Sequence, residues 1–591
     1  MKAPITALLA ILAAGFFAAP GRVFAQAPDT VVVYANAPGS ASGGPTIDQF
    51  IMGDTTATGQ RVNPNRVYLL QQTSAVDTPY YYTDPIYPKN FNLTIIGKRN
   101  PITGMPPLIE PFPRQNNTYP GSFISASGVD SITLKKLYFL GQLYDSVQAT
   151  GTLIQINGDS NEVKLDHIVL DNSAGTFVNF ASTANHSNLF ATSCEMRNVS
   201  NQFWRSGNMT WAIGGVPIDT MLIQNCTFFA LGRNILGSPG YIGHLILDHN
   251  TVFFSSDNLI LASRLVNATI TNNIFYGACA HGADSAFIAT GNTNDEHEPY
   301  GLITIDSLKT VGTTYGITEA DRNIVVRNND YFWPDTLVNF WKSINDTATG
   351  WYIAPPEWMN PHTAYEFSDK TDWPGLVAAN NDSADPGFPA ALVASTADSL
   401  IEFETKVGWN TPWGGIGTAG ALRWWQLWTN PYPSGLWNQF PKHWGGWSQG
   451  YPVPENLAYT NDSLQTGGVG NYAMGDLNWY PSQMKAWEAG QTVNAVKQTK
   501  PEVPSEFSLS QNYPNPFNPT TEVKVSLANA GVMSLTVYNV LGQVVSVVAQ
   551  GYKPAGAYTY NINMDRFASG VYFYSLREGA NVITKKMLLL K

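Results

Sequence analysis

A repeat in residues 218–276 constrains the fold of this chain more than any other feature. Three times a short apolar segment ends in a polar pair, turns and resumes. Cys226, Asn250 and Asn273 hold the same place in the three copies, 24 and 23 residues apart. The alternation of apolar and polar residues around that place is typical of strands and not of helices. Short strand-built repeats of this kind indicate a solenoid in which each copy is one coil. We therefore predict a parallel β-helix.

The pattern extends back from this repeat to Leu134. Six segments align so that three positions in each point inward, and the middle residues are Leu137, Ile168, Cys194, Cys226, Asn250 and Asn273. Cys194 and Cys226 are thus expected to be neighbours in one inward column, either as two buried thiols or as a disulfide between coils. The asparagines that continue this column are expected to hydrogen-bond to each other and to the backbone.

The N-terminal part of the 591-residue chain is divided by composition. Lys2 and the apolar stretch after it predict a secretory signal peptide over residues 1–25. Strands at 30–34, 66–71 and 92–97, separated by loops rich in Gly, Pro and Asn, predict the irregular first coils of the solenoid. We place the β-helix over residues 26–330.

The C-terminal part changes character twice. Tryptophan becomes frequent and repetition stops after residue 330, which predicts an irregular extension packed on the β-helix over residues 331–488. Residues 489–505 are polar and contain proline, as a linker does. Strand-like alternation with regular turn residues returns in residues 506–591 and predicts a small β-sandwich. The expected fold class is all-β.

The charge of the chain restricts its partners. The net charge is −11, and charged residues make up 13% of the sequence against 44% hydrophobic residues. An acidic chain of this kind is not expected to bind nucleic acid, which requires a basic surface. No apolar run after the signal peptide is long enough to cross a bilayer, so we expect no membrane span in the mature chain.

Four motifs stand in order near the C-terminus: QNYPNPFNP at 511–519, VYNVLG at 537–542, SGVY at 569–572, and Lys585-Lys586. Together they resemble the C-terminal (type A) sorting domain of type IX secretion substrates. The resemblance implies an Ig-like β-sandwich that binds the type IX secretion machinery through residues 506–591. It also implies that the protein reaches the extracellular space or the outer cell surface after the signal peptide is cleaved.

The solenoid carries a second resemblance. Its coil period and the phrases LTIIG at 93–97 and TNNIF at 271–275 resemble the pectate-lyase-like right-handed parallel β-helix superfamily. The resemblance implies a right-handed coil. The resemblance does not identify a function, because lyases, hydrolases, adhesins and passive surface proteins all have this fold.

Candidate catalytic residues lie on the outward stripe beside the inward column. Uronate lyases need a cation or arginine to neutralise the substrate carboxylate and a base to remove a proton. Asp166, His167, Asp248 and His249 of this stripe, together with Arg233 in a following turn, offer these groups. However, three coils separate Asp166 from Asp248, about 14 Å at the usual strand spacing. The aspartate cluster and arginine motif of pectate lyases are also missing. The alternative is a solvated stripe.

Aromatic residues supply the candidate glycan-binding residues. The densest cluster contains Trp424, Trp425, Trp428, Trp437, Trp444 and Trp447. Flat aromatic faces suit the apolar faces of sugar rings, although tryptophans also pack irregular segments. The acidic loop at 295–298 has the composition of a metal site, with an exposed loop as the alternative. No cofactor is expected, and calcium is expected only if the protein is a lyase.

Three functions therefore stay open. The first is an exported β-helix protein that binds glycan, a polysaccharide partner, without a recognised catalytic set. The second is a polysaccharide lyase that acts on the outward face of the solenoid. The third is a structural or adhesive surface protein.

Overall fold

A computed structural model describes most of the chain. The described residues are 29–35, 44–72, 77–89, 91–128, 131–141, 152–171, 173, 176–199, 210–212, 216–231, 235–255, 259–280, 283–284, 301–305, 307–308, 316–344, 353–354, 356–404, 455–490, 507–528, 531–553, 556–578 and 581–591. The chain divides into two compact units, and the boundary falls between Asn494 and Ala495. The predicted signal peptide and most of the predicted linker lie outside the described residues.

The first unit consists mainly of parallel strands. They are β1 Thr30–Val33, β2 Val67–Gln71, β3 Tyr80–Tyr82, β4 Leu93–Lys98, β5 Leu108–Pro111, β6 Ile124–Ala126, β7 Ser131–Leu140, β8 Ile154–Ile156, β9 Glu162–Asp171, β10 Val178–Phe180, β11 Ser187–Thr192, β12 Glu195–Val199, β13 Thr210–Ala212, β14 Ile218–Gln224, β15 Thr227–Leu231, β16 Leu236–Asp248, β17 Thr251–Ser255, β18 Ile260–Thr271, β19 Ile274–Tyr276, β20 Ala283–Asp284, β21 Gly301–Ile305, β22 Asn323–Arg327, β23 Asp330–Phe332, β24 Ile353–Ala354, β25 Glu357–Met359 and β26 Leu376–Ala379. All but β20 and β24 belong to one large sheet.

Three ladders of parallel strands run through this sheet. Ladder A joins β1, β2, β4, β7, β9, β11, β14, β16, β18, β22 and β26. Ladder B joins β3, β5, β7, β9, β12, β15, β17, β19 and β23. Ladder C joins β6, β8, β10, β13, β16, β18, β21 and β25. Successive coils contribute one strand to each ladder, which fits the predicted β-helix.

The predicted register is confirmed along ladder A. Leu134, Leu165, Ala191, Ile223, Leu247 and Ile270 are paired from coil to coil, and all six are buried. They belong to one continuous hydrophobic core that fills the inside of the coils. The local period therefore determines which side chains point inward.

The predicted end of the solenoid at residue 330 is wrong. β26 continues ladder A by pairing with β22, and β25 continues ladder C by pairing with β21. The extension is also less irregular than expected, because it contains helices. The α-helices that the structure describes in the first unit are α1 Ile47–Met52, α2 Asp335–Ile344, α3 Pro361–Ser368, α4 Ala390–Glu404 and α5 Pro481–Glu488. α2, α4 and α5 pack with outward aromatic residues of ladder B in a second hydrophobic cluster.

The second unit contains two antiparallel sheets. Its strands are β27 Ser508–Leu509, β28 Thr520–Leu527, β29 Gly531–Tyr538, β30 Val544–Lys553, β31 Gly556–Asn563, β32 Gly570–Glu578 and β33 Asn581–Leu589. One sheet has the order β27-β28-β31 and the other β30-β29-β32-β33. Buried residues of both sheets, such as Val523 and Leu535, share one hydrophobic core.

Candidate functional site

From β7 onward, the chain bends between ladders A and B at a residue with a left-handed backbone. Among the described residues, eight such positions have φ between 51° and 58°: Lys136, His167, Ser193, Asn225, His249, Asn272, Asn328 and Asn380. Left-handed φ is unusual for residues other than glycine, and asparagine tolerates it best. The bend turns the following residue inward, so the outward stripe and the inward column are two sides of one turn.

The inward side of the bend carries a ladder of four asparagines. The Nδ2 of Asn250 donates to Oδ1 of Asn273 at 2.9 Å, Asn273 donates to Asn329 at 2.8 Å, and Asn329 donates to Asn381 at 2.9 Å. Each of the three acceptor oxygens also receives a backbone N–H of the preceding coil. The predicted hydrogen bonding of Asn250 and Asn273 is confirmed. Cys194 and Cys226, earlier in the column, are buried free thiols and not a disulfide.

Asp166 and His167 lie on the exposed part of the outward stripe. The Nδ1 of His167 is 2.6 Å from Oδ1 of Asp166, and Nζ of Lys135 is 3.6 Å from Oδ2. Partial burial raises the pKa of Asp166. The hydrogen bond from His167, its charge and those of Lys135 and Lys136 lower the pKa more, so that it falls below its ordinary value. The pair thus presents a carboxylate beside cationic groups at the surface.

Asp248 and His249 hold the same places three coils later, but they are not solvated. Asp248 is 5% exposed and His249 is 2% exposed. Asp248 accepts hydrogen bonds from Gln224, Thr271 and Asn272 at 2.9, 2.9 and 2.7 Å. Burial raises the pKa of this carboxyl, but the charge of His249 and the hydrogen bonds from Gln224 and Asn272 have a larger opposite effect and lower the pKa to about 2. The expectation of a solvated stripe is therefore wrong here, because another part of the chain lies over it.

That part is the cover segment, residues 455–488. It lies over the bend of the later coils through polar contacts to residues at the bend and directly after it. The backbone N–H of Asp476 donates to Oγ1 of Thr251 at 2.8 Å, and Oδ2 of Asp476 accepts from Oγ1 of Thr227 at 2.7 Å. The indole N–H of Trp479 donates to the same Thr227 hydroxyl. Burial raises the pKa of Asp476 to about 7. Tyr472 and Trp487 contact the His249 ring edge-on.

A buried ionic cluster holds the start of the cover segment. The guanidinium of Arg197 donates to both carboxylate oxygens of Glu455, at 2.5 and 2.8 Å, and to Asp171 at 2.6 Å. Glu195 lies beside them, and burial together with the charge of Glu455 raises its pKa well above the ordinary value. One arginine thus pairs with two carboxylates, and the surroundings of the third favour its protonated form. Sequence reasoning missed this cluster, since Arg197 and Glu455 are 258 residues apart.

An outward aromatic residue was also missed. Phe190 points outward from ladder A and is half-buried. Strand register places it at the centre of a three-by-three array of outward side chains, which we call the Phe190 array: Glu162, Lys164, Asp166, Asn188, Phe190, Thr192, Thr220, Leu222 and Gln224. Its sequence signal was the outward position of Phe190 in the strand between Leu189 and Ala191.

Several predicted site residues lie outside the described residues. They are Arg233, the acidic loop at 295–298, and Trp424, Trp425, Trp428, Trp437, Trp444 and Trp447. Within the described ranges, no three His, Cys, Asp or Glu side chains are arranged to hold a metal ion. No helix in the described parts is long and apolar enough to cross a membrane.

Comparison with known proteins identifies the second unit. Residues 511–590 match the family of secretion system C-terminal sorting domains. The chain is a type IX secretion substrate. This sorting domain implies interaction with the type IX machinery and export to the cell surface or the extracellular space. No curated protein matches the chain. The family match does not extend to the parallel-strand unit, and it therefore does not indicate the function of that unit.

Proposed function

We propose that this type IX substrate is a glycan-binding protein of the cell surface or extracellular space, built on a right-handed β-helix and without a catalytic set. The observation that supports this proposal is the Phe190 array. An aromatic ring at the centre of a flat sheet face is ringed by carboxylates, amides, hydroxyls and an ammonium group. Proteins bind sugar rings with this combination, in which an aromatic face stacks on the sugar ring and polar groups hydrogen-bond to the sugar hydroxyls.

The size of the array suits a short stretch of polysaccharide. Neighbouring coils are about 4.8 Å apart and alternate residues on a strand about 6.8 Å apart, so the array measures roughly 10 by 14 Å. Many of its polar groups are also fixed in place. Glu162 is paired with Lys164 at 2.5 Å, and Asp166 is paired with His167 at 2.6 Å. A preordered face loses little side-chain entropy when a ligand binds.

The test is binding of the full-length protein to a panel of soluble polysaccharides and to a glycan array, followed by titration of any ligand found. Phe190→Ala is expected to weaken binding by about tenfold, which corresponds to roughly 1.4 kcal/mol. Val377→Ala is the matched control, because Val377 occupies the same outward column at the far end of ladder A and is 43% exposed. Equal affinity of wild type and Phe190→Ala would refute this site, and a lack of binding to every glycan would favour a structural or adhesive role.

Polysaccharide lyase activity is the second candidate. Asp166, His167 and Lys135 place a carboxylate, an imidazole and an ammonium group together on the exposed stripe. Burial of Asp248 and His249 argues against one site that spans both pairs. Lyases release an unsaturated sugar that absorbs ultraviolet light, so uronate polymers incubated with the protein provide the assay. Product formation that Asp166→Asn abolishes would establish the lyase, whereas binding without product supports the first proposal.

A further inference from the structure

The sorting domain exposes an unusual number of large apolar side chains. Fifteen such side chains are exposed among the described residues, and eight of them lie between Tyr513 and Leu590. The most exposed of these include Leu541 at 79%, Val540 at 66% and Val544 at 58%. Contiguous exposed apolar surface on a folded domain marks an interaction site.

The turn between β29 and β30 illustrates this point. Asn539 builds the turn, because its side-chain oxygen accepts the backbone N–H groups of Leu541 and Gln543, both at 3.0 Å. Gly542 supplies a left-handed φ of 76°. Asn539 and Gly542 are thus explained by the turn itself. Val540 and Leu541 are not, since their side chains point into solvent.

Strand register connects this turn to one end of the outer face of the four-stranded sheet. Tyr538 is paired with Val544 on one side and with Phe573 on the other, and Phe573 is paired with Lys586. Val571, which is 37% exposed, is paired with Leu588 of the neighbouring strand. We call this surface the apolar end: Tyr538, Val540, Leu541, Val544, Val571, Phe573 and Leu588. The opposite end of the same face carries Ser534, Arg577 and Val582.

We propose that the apolar end is the surface by which the sorting domain docks on a protein receptor of the type IX secretion machinery. The family match places the recognition element of the protein in this domain. Val540, Leu541, Val544 and Val571 are not among the residues that form the buried core of the domain. Lys586 and Arg577 are the charged side chains that the structure describes on this outer face, and both are cationic. The receptor surface is accordingly apolar with acidic residues at its edge. This proposal is independent of glycan binding.

Export of the full-length protein in a bacterium with a type IX system provides the test. Leu541→Asp and Val544→Asp place a charge in the apolar end, and each is expected to reduce the exported amount at least fivefold while the protein accumulates in the periplasm. Val582→Asp is the matched control. It introduces the same charge at a valine of the same sheet face, 46% exposed, about 14 Å along the strands from Lys586. This control is expected to be exported as the wild type.

The unfolding midpoint of each purified full-length variant separates loss of docking from loss of folding. Leu541 lies in a turn and outside the core, so Leu541→Asp decides the result if Val544→Asp unfolds. Normal export of a folded Leu541→Asp variant would overturn the proposal, as would equal loss of export in Val582→Asp. If purified wild type forms a dimer that Leu541→Asp dissociates while export stays normal, the surface is a contact between two copies and the proposal fails.

Discussion

The early and late coils of the first unit use the same bend in opposite ways. At Asp166-His167 the stripe is exposed, and the inward column beside it holds the apolar Ile168. At Asp248-His249 the same two residue types occupy the same register and the same left-handed bend, yet they are buried and the column holds Asn250. The dipeptide is therefore not a site by itself. The cover segment decides whether it is a surface group or part of the interior.

The largest effect is expected when the inward column of the late coils is interrupted. Asn273→Ala removes an oxygen that accepts two hydrogen bonds from Asn250 and an amide that donates to Leu247 and Asn329. Four buried partners at about 1 kcal/mol each predict a loss of about 4 kcal/mol in the free energy of unfolding, measured in urea. Asn188→Ala, on the outward face, should cost less than about 0.5 kcal/mol. Similar costs for both variants would show that water replaces the amide.

Asp166 and Asp248 provide a direct test of the comparison between the early and the late coils. Asp248→Ala leaves the donors of Gln224, Thr271 and Asn272 buried without their acceptor, and we expect a loss of about 3 kcal/mol. Asp166→Ala removes a partly solvated ion pair and should cost less than about 1 kcal/mol. Chemical denaturation at neutral pH measures both values. A larger loss for Asp166→Ala would contradict the assignment of Asp248 to the interior.

A third effect is expected in the pH dependence of stability when Asp476 of the cover segment is replaced. Burial raises the pKa of Asp476 from 3.8 to about 7. The folded state therefore holds this proton more tightly than the unfolded state, and stability falls as pH rises from about 4 to above 7. Asp476→Asn carries no charge and should remove about 3 kcal/mol of the stability difference between about pH 5 and about pH 8.5. Asp462→Asn, exposed in the same segment, should leave that difference unchanged. An unchanged difference in Asp476→Asn would refute the burial of an ionisable Asp476.

The sequence allows prediction of features that repeat at short range. The buried ladder A positions from Leu134 to Ile270 and the hydrogen bonds between Asn250 and Asn273 follow from a period of one coil. Each coil contacts the coils that precede and follow it in sequence. Helix α3 was missed although its start carries a signal, since Asn360 accepts the N–H of Thr363 and Pro361 follows it.

The covered part of the site could not be predicted in this way. Thr227 and Asp476 are 249 residues apart, and neither belongs to a repeat in which the other takes part. Only the tertiary path of the cover segment brings them together. For this reason, Asp166-His167 and Asp248-His249 look equivalent in sequence and differ in the folded protein.

The asparagine ladder has a consequence for how such a protein changes over time. Asn250 and Asn273 stack although they are only 23 residues apart in sequence, and Asn273 and Asn329 stack equally well at a separation of 56 residues. Loop closure costs grow only slowly with loop length, so a coil accommodates a long insertion without disturbing the stack. New surface can thus be added between coils while the interior is inherited unchanged. An exported protein built this way can diversify what it presents outside the cell without having to solve its folding problem again.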